Sequence, residues 1–236
     1  MLTRTAKKSR LYCWEVLDPS DPLLPAVREL YESALEPEER IPWAWLERAV
    51  SSRADWRPGG QAWSKHLIVA STEAETTHPD RLAGFCFAVY LPGYGGYVSY
   101  VATAERFRRR GVGSRLFEQA FNLLAVDAAA ADEALPFVIW ESREPETARR
   151  KLFGRVGGRE IDGVTLMSPD WNDDAAPEVP LTLFLKPCDE TEFDEERTRA
   201  AVDGLLRRVY RMAPGDAGYD RTLTPGCRPR LERVTP

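Results

Sequence analysis

A short turn rich in arginine and glycine, at residues 108–114, carries the residue types best suited to binding a charged ligand. It follows an apolar, β-branched segment and precedes a segment with helical periodicity, so it is predicted to join a strand to a helix. The first backbone N–H groups of a helix lack intrahelical partners and carry partial positive charge, which favours phosphate oxygens. Gly111 and Gly113 have no Cβ and let a ligand approach the main chain. The turn therefore predicts a diphosphate site.

Two other kinds of phosphate-binding turn do not match this segment. A P-loop requires a glycine, four residues and then Gly-Lys-Ser/Thr, and the sequence contains no such run. A dinucleotide-binding turn requires a third glycine at position 116, where this chain has Leu116. The turn is therefore predicted to bind a diphosphate as neither a P-loop nor a dinucleotide-binding turn.

The turn and its flanks resemble motif A of the GNAT superfamily, the Gcn5-related N-acyltransferases. That motif reads Gln/Arg-x-x-Gly-x-Gly/Ala, and this sequence has Arg108, Gly111 and Gly113 at its defined positions. The resemblance implies that main-chain amides bind the pyrophosphate of acetyl-CoA (coenzyme A), which is the expected cofactor. The implied binding residues of the turn are Arg108, Arg109, Arg110, Gly111, Val112, Gly113 and Ser114. A solvated arginine cluster on an ordinary strand-to-helix turn is the alternative.

The same resemblance implies an α+β GNAT fold. Its centre would be a mixed, mostly antiparallel sheet of about six or seven strands flanked by helices. A V-shaped splay is expected between the strands that contain Tyr97 and Phe137. Main-chain groups of Val101 and Thr103 would then hydrogen-bond the pantetheine arm and polarise the thioester carbonyl.

Periodicity and turn residues predict the order of the elements. Strands are predicted at residues 11–17, 65–71, 81–91, 97–103, 135–142, 159–167 and 180–186. Helices are predicted at residues 23–35, 43–51, from 112 into the Ala-rich segment 126–134, 145–156 and 192–212. A polar excursion at 168–179 joins the last two strands, and the tail from 213 is predicted to be irregular. Residues 1–187 are expected to form the acyltransferase domain, and residues 188–236 a helix and tail packed on or extending it.

The composition of the whole chain limits the kinds of protein that it can be. The 236 residues carry a net charge of −5. Nucleic-acid binding needs a broad basic face, so the local basic cluster at residues 106–115 is not expected to bind RNA or DNA. No apolar run is long enough to cross a membrane. Cys13, Cys86, Cys188 and Cys227 lack metal-ligand spacing, so no metal is expected, and unpaired thiols fit a reducing cytoplasm.

Acyl transfer to an amine needs a group that removes a proton from that amine. Glu141, at the C-terminal end of its predicted strand, is the candidate base, and a solvated strand-end acid is the alternative. A helix tyrosine is often the general acid in the family, but alignment on Gly157 places Phe153 there. Tyr97 and Tyr100, expected on opposite faces of one strand, are the candidate replacements. A core role for each hydroxyl is the alternative.

Two more positions depart from the family helix, because its asparagine is Glu146 here and its phenylalanine is Gly158. Two functions therefore stay open. The first is an acyl-CoA-dependent N-acyltransferase, in which a primary amine of a small molecule or peptide attacks directly in a ternary complex. The second is a catalytically degenerate acyl-CoA-binding sensor or scaffold, which Phe153 favours. The acceptor, the acyl chain length and a homodimeric state also stay open.

The histidines and the early tryptophans are weaker candidates for function. His66 in a strand and His78 before a proline are expected to have structural or surface roles. Trp43, Trp45 and Trp56 either line an acceptor pocket or seal the core.

Overall fold

The computed structural model describes residues 10–60, 62–74, 76–143, 147–173, 177–189 and 192–234. The strands are β1 (Tyr12–Glu15), β2 (Ser64–Ser71), β3 (Leu82–Leu91), β4 (Gly95–Thr103), β5 (Phe137–Ser142), β6 (Arg159–Ser168), β7 (Val179–Pro187) and β8 (Arg230–Arg233). The α-helices are α1 (Leu24–Ala34), α2 (Trp43–Arg53), α3 (Val112–Ala130), α4 (Thr147–Arg155), α5 (Glu195–Arg208) and α6 (Ala217–Thr222). Among these described helices, none combines the length and the apolar character that crossing a membrane requires.

One mixed sheet contains these strands in the order β1-β2-β3-β4-β5-β7-β6-β8. β4 and β5 are parallel and are connected by the crossover helix α3, and the other neighbouring pairs are antiparallel. The predicted α+β fold with a mostly antiparallel sheet is therefore confirmed. The sheet has eight strands instead of six or seven, and β8 is the one that was not predicted.

The segment that follows α5 contains two elements that the sequence did not predict. β8 pairs with β6, with Leu231 opposite Ile161, and α6 lies nearby against β6. The prediction of an irregular tail is therefore wrong for Ala217–Thr222 and Arg230–Arg233. Both elements are too short to show a period, and β8 forms because the edge of β6 offers backbone hydrogen-bonding groups.

Each face of the sheet carries its own apolar core. The α1 face is covered by α1, α2 and α5, whose Val27, Leu46 and Leu205 are fully buried. The α3 face is covered by α3 and α4, which bury Leu116 and Phe153. A fully buried aliphatic or aromatic side chain contributes about 1.5–3 kcal/mol. The two cores thus hold the central strands rigidly at the place where β4 and β5 separate.

A buried ion cluster connects β1, β2, α2 and α3. The ring of His66 lies between two carboxylates, with Nδ1 2.7 Å from Glu15 Oε1 and Nε2 2.8 Å from Asp127 Oδ2. Arg53 contacts the same two carboxylates at 2.9 and 3.2 Å, and the Ser64 hydroxyl donates to Asp127. Only an imidazolium can donate from both ring nitrogens, so this geometry indicates a charged His66.

The contacts within this cluster explain its titration. Burial alone would lower the pKa of His66, but its hydrogen bonds to Asp127 and Glu15 outweigh burial and raise that pKa. Burial alone would raise the pKa of Asp127, but the hydrogen bonds from His66 and Ser64 lower it. The predicted structural role is confirmed for His66, and His78 is exposed, in agreement with a surface role.

Candidate active site

The central strands β4 and β5 separate halfway along their length. Their parallel pairing extends from Gly96 opposite Val138 to Val98 opposite Trp140 and goes no further, although both strands continue. The V-shaped splay that the resemblance implied is therefore confirmed. Beyond Val98, the β4 edge that faces β5 has no strand partner within these fully described strands.

A cavity of about 780 Å³ fills this opening and reaches both faces of the sheet. A volume of this size is typical of pockets for small molecules and cofactors. On the α1 face the cavity is lined by Glu39, Tyr97, Glu141, Trp171 and Tyr210. Towards the α3 face it is lined by Arg108, Gly113, Phe117, Trp140, Leu152 and Phe153.

An irregularity in β4 decides where its tyrosines point. Tyr100 pairs with Phe87 of β3 and Val98 pairs with the next residue along β3, so Ser99 is an extra residue that forms a β-bulge. Tyr97 and Tyr100 consequently both point to the α1 face. The expectation that they lie on opposite faces is wrong, because the bulge shifts the alternation of side chains by one residue.

Glu141 lies at the centre of the α1 side of the cavity. Its Oε1 accepts hydrogen bonds from the Tyr97 hydroxyl at 2.5 Å and from the Tyr210 hydroxyl at 3.0 Å. Its Oε2 is buried and accepts no hydrogen bond from the described residues. Burial raises the pKa of Glu141 to about 7, and the two tyrosine hydroxyls partly oppose this rise. One oxygen of this carboxyl group is therefore held in place, and the other has no partner among the described residues.

Tyr210 belongs to this site, although no motif or period in the sequence selects it. It lies two residues beyond the end of α5, outside the turn and strands that resemble the family. Its ring also packs against Trp171 from the β6–β7 connection, with centroids 5.8 Å apart. Only the tertiary packing of α5 on the α1 face brings this hydroxyl to Glu141.

Tyr100 has a different set of partners from Tyr97. Its hydroxyl donates to the Glu39 carbonyl and accepts from the Ile41 N–H, both at 3.0 Å. Tyr31 donates to the Ile41 carbonyl at 2.9 Å. These bonds hold the segment between α1 and α2 against the cavity. The hydroxyl of Tyr100 is thus committed to positioning this wall.

Of the three tryptophans that were expected to line an acceptor pocket or to seal the core, one borders the cavity and two pack in the core. Trp45 lines the cavity, is 41% exposed, and meets Trp171 with ring centroids 5.9 Å apart. Trp43 packs on Tyr31 in the α1-face core, and Trp56 packs on Tyr90 on the α3 side. One of the three tryptophans therefore borders the cavity, and the others pack against core residues.

The glycine-bearing turn presents main-chain amides at the start of α3. Gly111 precedes the helix with φ 82°, and Arg109 also has a positive φ, of 63°. No side chain caps the helix, and its first backbone bond runs from Arg115 N to Gly111 O at 3.1 Å. The N–H groups of Val112 to Ser114 come before this bond and are therefore available to a ligand.

The surroundings of this turn fit a diphosphate. A Cβ built at Gly111 would meet nothing within 4 Å, so the space in front of the turn is open. The Ser114 hydroxyl is buried and has no partner among the described residues. The side chains of Arg108, Arg109 and Arg110 are exposed around the turn. These features match the needs of a doubly charged group at a helix N-terminus.

Val101 and Thr103 are the residues that the resemblance assigns to the pantetheine arm. Both line the cavity on the part of β4 that continues beyond the last pair with β5. They pair with Cys86 and Gly84 of β3 on the other side of the strand. The unpaired edge of β4 can therefore offer backbone hydrogen bonds to an extended arm in the splay.

Phe153 sits in an aromatic cluster on the α3 face. Its ring centroid is 5.7 Å from that of Trp140 and 4.7 Å from that of Phe184. A Cβ at Gly158 would be 2.5 Å from Trp140 Cζ2, so the indole fills the space that a larger side chain would need. Trp140 therefore packs against both Phe153 and Gly158, two of the positions that depart from the family helix. Glu146 lies outside the described residues.

The sequence model of the acetyltransferase (GNAT) family matches residues 24–157, more than half of the chain. The matched segment extends from α1 through α4 and contains the turn, the splay and Glu141. The chain belongs to the GNAT acetyltransferase family. The resemblance drawn from the turn is confirmed, and so is the expectation of a GNAT-type N-acetyltransferase.

Solved GNAT structures share this fold. A GNAT-family protein of Bacteroides thetaiotaomicron superposes with a TM-score of 0.58 over 86% of this chain and 99% of its own, at 17% identity. The NatC complex bound to Gag peptide and CoA gives 0.56 over 76% and 99%, at 12% identity. Arabidopsis thaliana NAA60 with a bisubstrate analogue gives 0.52 over 75% and 98%, at 14% identity. At these identities the likeness concerns the fold alone. No curated protein gave a significant sequence match.

Proposed function

We propose that this GNAT protein transfers an acetyl group from acetyl-CoA to a primary amine that attacks directly in a ternary complex. The observation that supports this most strongly is the free, buried oxygen of Glu141 in the splay. A carboxylate with a pKa of about 7 is close to optimal for accepting a proton at neutral pH. The sensor alternative has no comparable use for such a group.

Three residues on the α1 face, Glu141, Tyr97 and Tyr210, take part in proton transfer. Acetyl-CoA supplies an acyl carbon that an amine can attack. As the new N–C bond forms, Glu141 Oε2 takes the proton that the nitrogen loses, while Tyr97 and Tyr210 hold Oε1. Both substrates lie in one cavity, and such proximity contributes a large part of the rate.

The leaving group explains why Phe153 is tolerated. A thiol has a pKa of about 8.5 and can leave as the thiolate, so no protein group needs to protonate it as the C–S bond breaks. On this proposal Tyr97 stabilises the carboxylate, and Tyr100 positions the α1–α2 wall. We also propose that the segment after residue 187 belongs to the same catalytic unit, because it supplies Tyr210.

The cofactor assignment and the reaction can be tested separately. Calorimetry with coenzyme A should show binding, and charge reversal in Arg108→Glu should weaken it by about tenfold or more at low salt. Acetyl-CoA and a panel of primary amines should then release free thiol. Tight coenzyme A binding without turnover on any amine would support the sensor, and absence of binding would exclude both functions.

Removing the Tyr97 hydroxyl should shift the pH dependence of the reaction. The hydrogen bond from Tyr97 lowers the pKa of Glu141, so Tyr97→Phe should raise that pKa and move the acid limb of kcat/KM to higher pH. At about pH 7 we expect a loss of about threefold to tenfold. Full pH–rate profiles of both proteins measure this shift.

Tyr90→Phe is a matched control for Tyr97→Phe. The Tyr90 hydroxyl also donates to a glutamate, Glu133, at 2.6 Å, but neither residue lines the cavity. The pH–rate profile of Tyr90→Phe should match that of the wild type. An unshifted acid limb in Tyr97→Phe would contradict the role of Glu141 as the titrating base.

A further inference from the structure

The end of the cavity that lies towards β2 contains two cations. Lys65 of β2 and Arg211 after α5 both line the cavity that contains Glu141. The Arg211 guanidinium lies over the ring of Trp63, with Cζ 5.2 Å from the ring centroid. Trp63 and Lys65 are two residues apart and therefore lie on one side of the chain as it enters β2. The three side chains form one cationic end, defined here as Trp63, Lys65 and Arg211.

These cations have no counter-charge in the described part of the chain. The Lys65 ammonium is half-buried, and no described residue gives it a hydrogen bond or an ion pair. Arg211 is exposed to solvent and also has no carboxylate partner among the described residues. Burial and, to a lesser extent, the charge of Arg48 lower the pKa of Lys65. A half-buried cation without a partner is unfavourable, and an anionic ligand would relieve this.

The register of the sheet places the cationic end away from the proton acceptor. Lys65 pairs with Val89, Val89 with Tyr97, and Tyr97 with Ile139, in one row across the sheet. Glu141 lies two residues beyond Ile139 on the same face of β5. Three strand spacings separate β2 from β5, which corresponds to about 14 Å between Cα positions. The cavity therefore has a carboxylate at one end and cations at the other.

Apolar side chains lie between the two ends. Phe87 and Val89 of β3 line the cavity on the α1 face, between the strands of Lys65 and Glu141. An aliphatic segment of a ligand would therefore contact them without leaving a polar group unpaired.

We propose that the acceptor is an elongated primary amine with an anionic group at its far end. Its amine would meet Glu141, its aliphatic middle would cover Phe87 and Val89, and its anion would be held by Lys65 and Arg211. This inference rests on the proposed acetyl transfer and adds the class of its acceptor. An α-amino acid places its two charges too close together to reach both ends.

Linear ω-amino carboxylates of increasing length, each paired with its uncharged carboxamide, test this inference. Free thiol released from acetyl-CoA gives kcat and KM for each compound with the 236-residue chain. At one preferred length the carboxylate should exceed its carboxamide in kcat/KM by about tenfold or more, mainly through KM, since ion-paired hydrogen bonds have this strength. The preference should shrink as salt is added.

Three lysine variants assign the effect to the cationic end. Lys65→Met should abolish the preference for the carboxylate over its carboxamide, because it removes the charge that binds the anion. Lys65→Arg keeps the charge and should retain most of the preference. Lys151→Met changes an exposed lysine of α4 that does not line the cavity, and it should behave as the wild type.

The outcomes separate this inference from the proposed function. Equal use of carboxylates and carboxamides at every length, or an unchanged preference in Lys65→Met, would overturn the inference and leave amine acetylation standing. Absence of thiol release with every amine, charged or neutral, would overturn the proposed acetyl transfer and the inference with it.

Discussion

Glu141→Gln should lose about 10²- to 10⁴-fold in kcat/KM for amine acetylation, the range expected when a general base is removed. The amide keeps the size of the carboxylate and can still accept from Tyr97 and Tyr210, so the cavity should keep its shape. It cannot take a proton from the amine. Initial rates of thiol release, together with calorimetric binding of coenzyme A, measure both consequences.

The pH profile identifies the cause of that loss. The wild type should lose activity as the pH falls through about 7, where Glu141 becomes protonated, whereas the residual rate of Glu141→Gln should lack this limb. Glu29→Gln, an exposed change on α1, is the matched control and should retain full activity. A Glu141→Gln variant with near-normal turnover would remove Glu141 from the mechanism.

The same substitution should stabilise the fold. The unfolded chain releases the Glu141 proton near pH 4.5 and the folded chain near pH 7, so stability falls as the pH rises between these values. Above pH 7 the buried charge then opposes folding by up to about 3 kcal/mol, from the size of the pKa shift. Urea unfolding at about pH 8 should show Glu141→Gln to be the more stable protein.

His66→Ala should have the largest effect on stability, a loss of about 3–5 kcal/mol in the free energy of unfolding. The change leaves Glu15 and Asp127 close together and buried, with Arg53 as their one remaining cationic partner in the described cluster. Urea unfolding near neutral pH measures this loss. His78→Ala removes the exposed histidine, and it should stay within about 0.5 kcal/mol of the wild type.

The contribution of His66 should depend on pH in a defined direction. Because its pKa is raised in the folded protein, its stabilisation is complete below the unfolded pKa of 6.5 and is lost as the pH rises through the folded pKa. The difference between wild type and His66→Ala should therefore be larger at about pH 6 than at about pH 9. A difference that grows with pH would show that His66 is neutral in the folded protein.

Local patterns in the sequence predicted the parts of the site that depend on neighbouring residues. The turn at residues 108–114 joins a strand to a helix, and the spacing of its glycines follows from the backbone conformation that the turn requires. The parallel pairing of β4 and β5 follows from the crossover helix between them. The predicted bounds of β2 and β3 lie within one residue of those in the structure, and α3 begins at the predicted residue 112.

Parts of the site that depend on distant contacts were not predictable in this way. Tyr210 reaches Glu141 across 69 positions of sequence, and no local period selects it from the other tyrosines. The pairing of His66 with Asp127 joins residues 61 positions apart. β8 takes its conformation from the β6 edge and not from its own four residues. Tertiary packing decides each of these features.

The extra residue at Ser99 also constrains how this protein can change. Side chains on the two sides of Ser99 already alternate as in a regular strand, so deleting Ser99 would leave Tyr97 and Tyr100 on the α1 face and would remove only the bulge. A bulge bends its strand, and this one lies directly beyond Val98, where the pairing with β5 ends. Loss of this one residue would therefore straighten β4 and narrow the opening between the two strands, whereas a side-chain substitution in the same stretch would leave the opening in place.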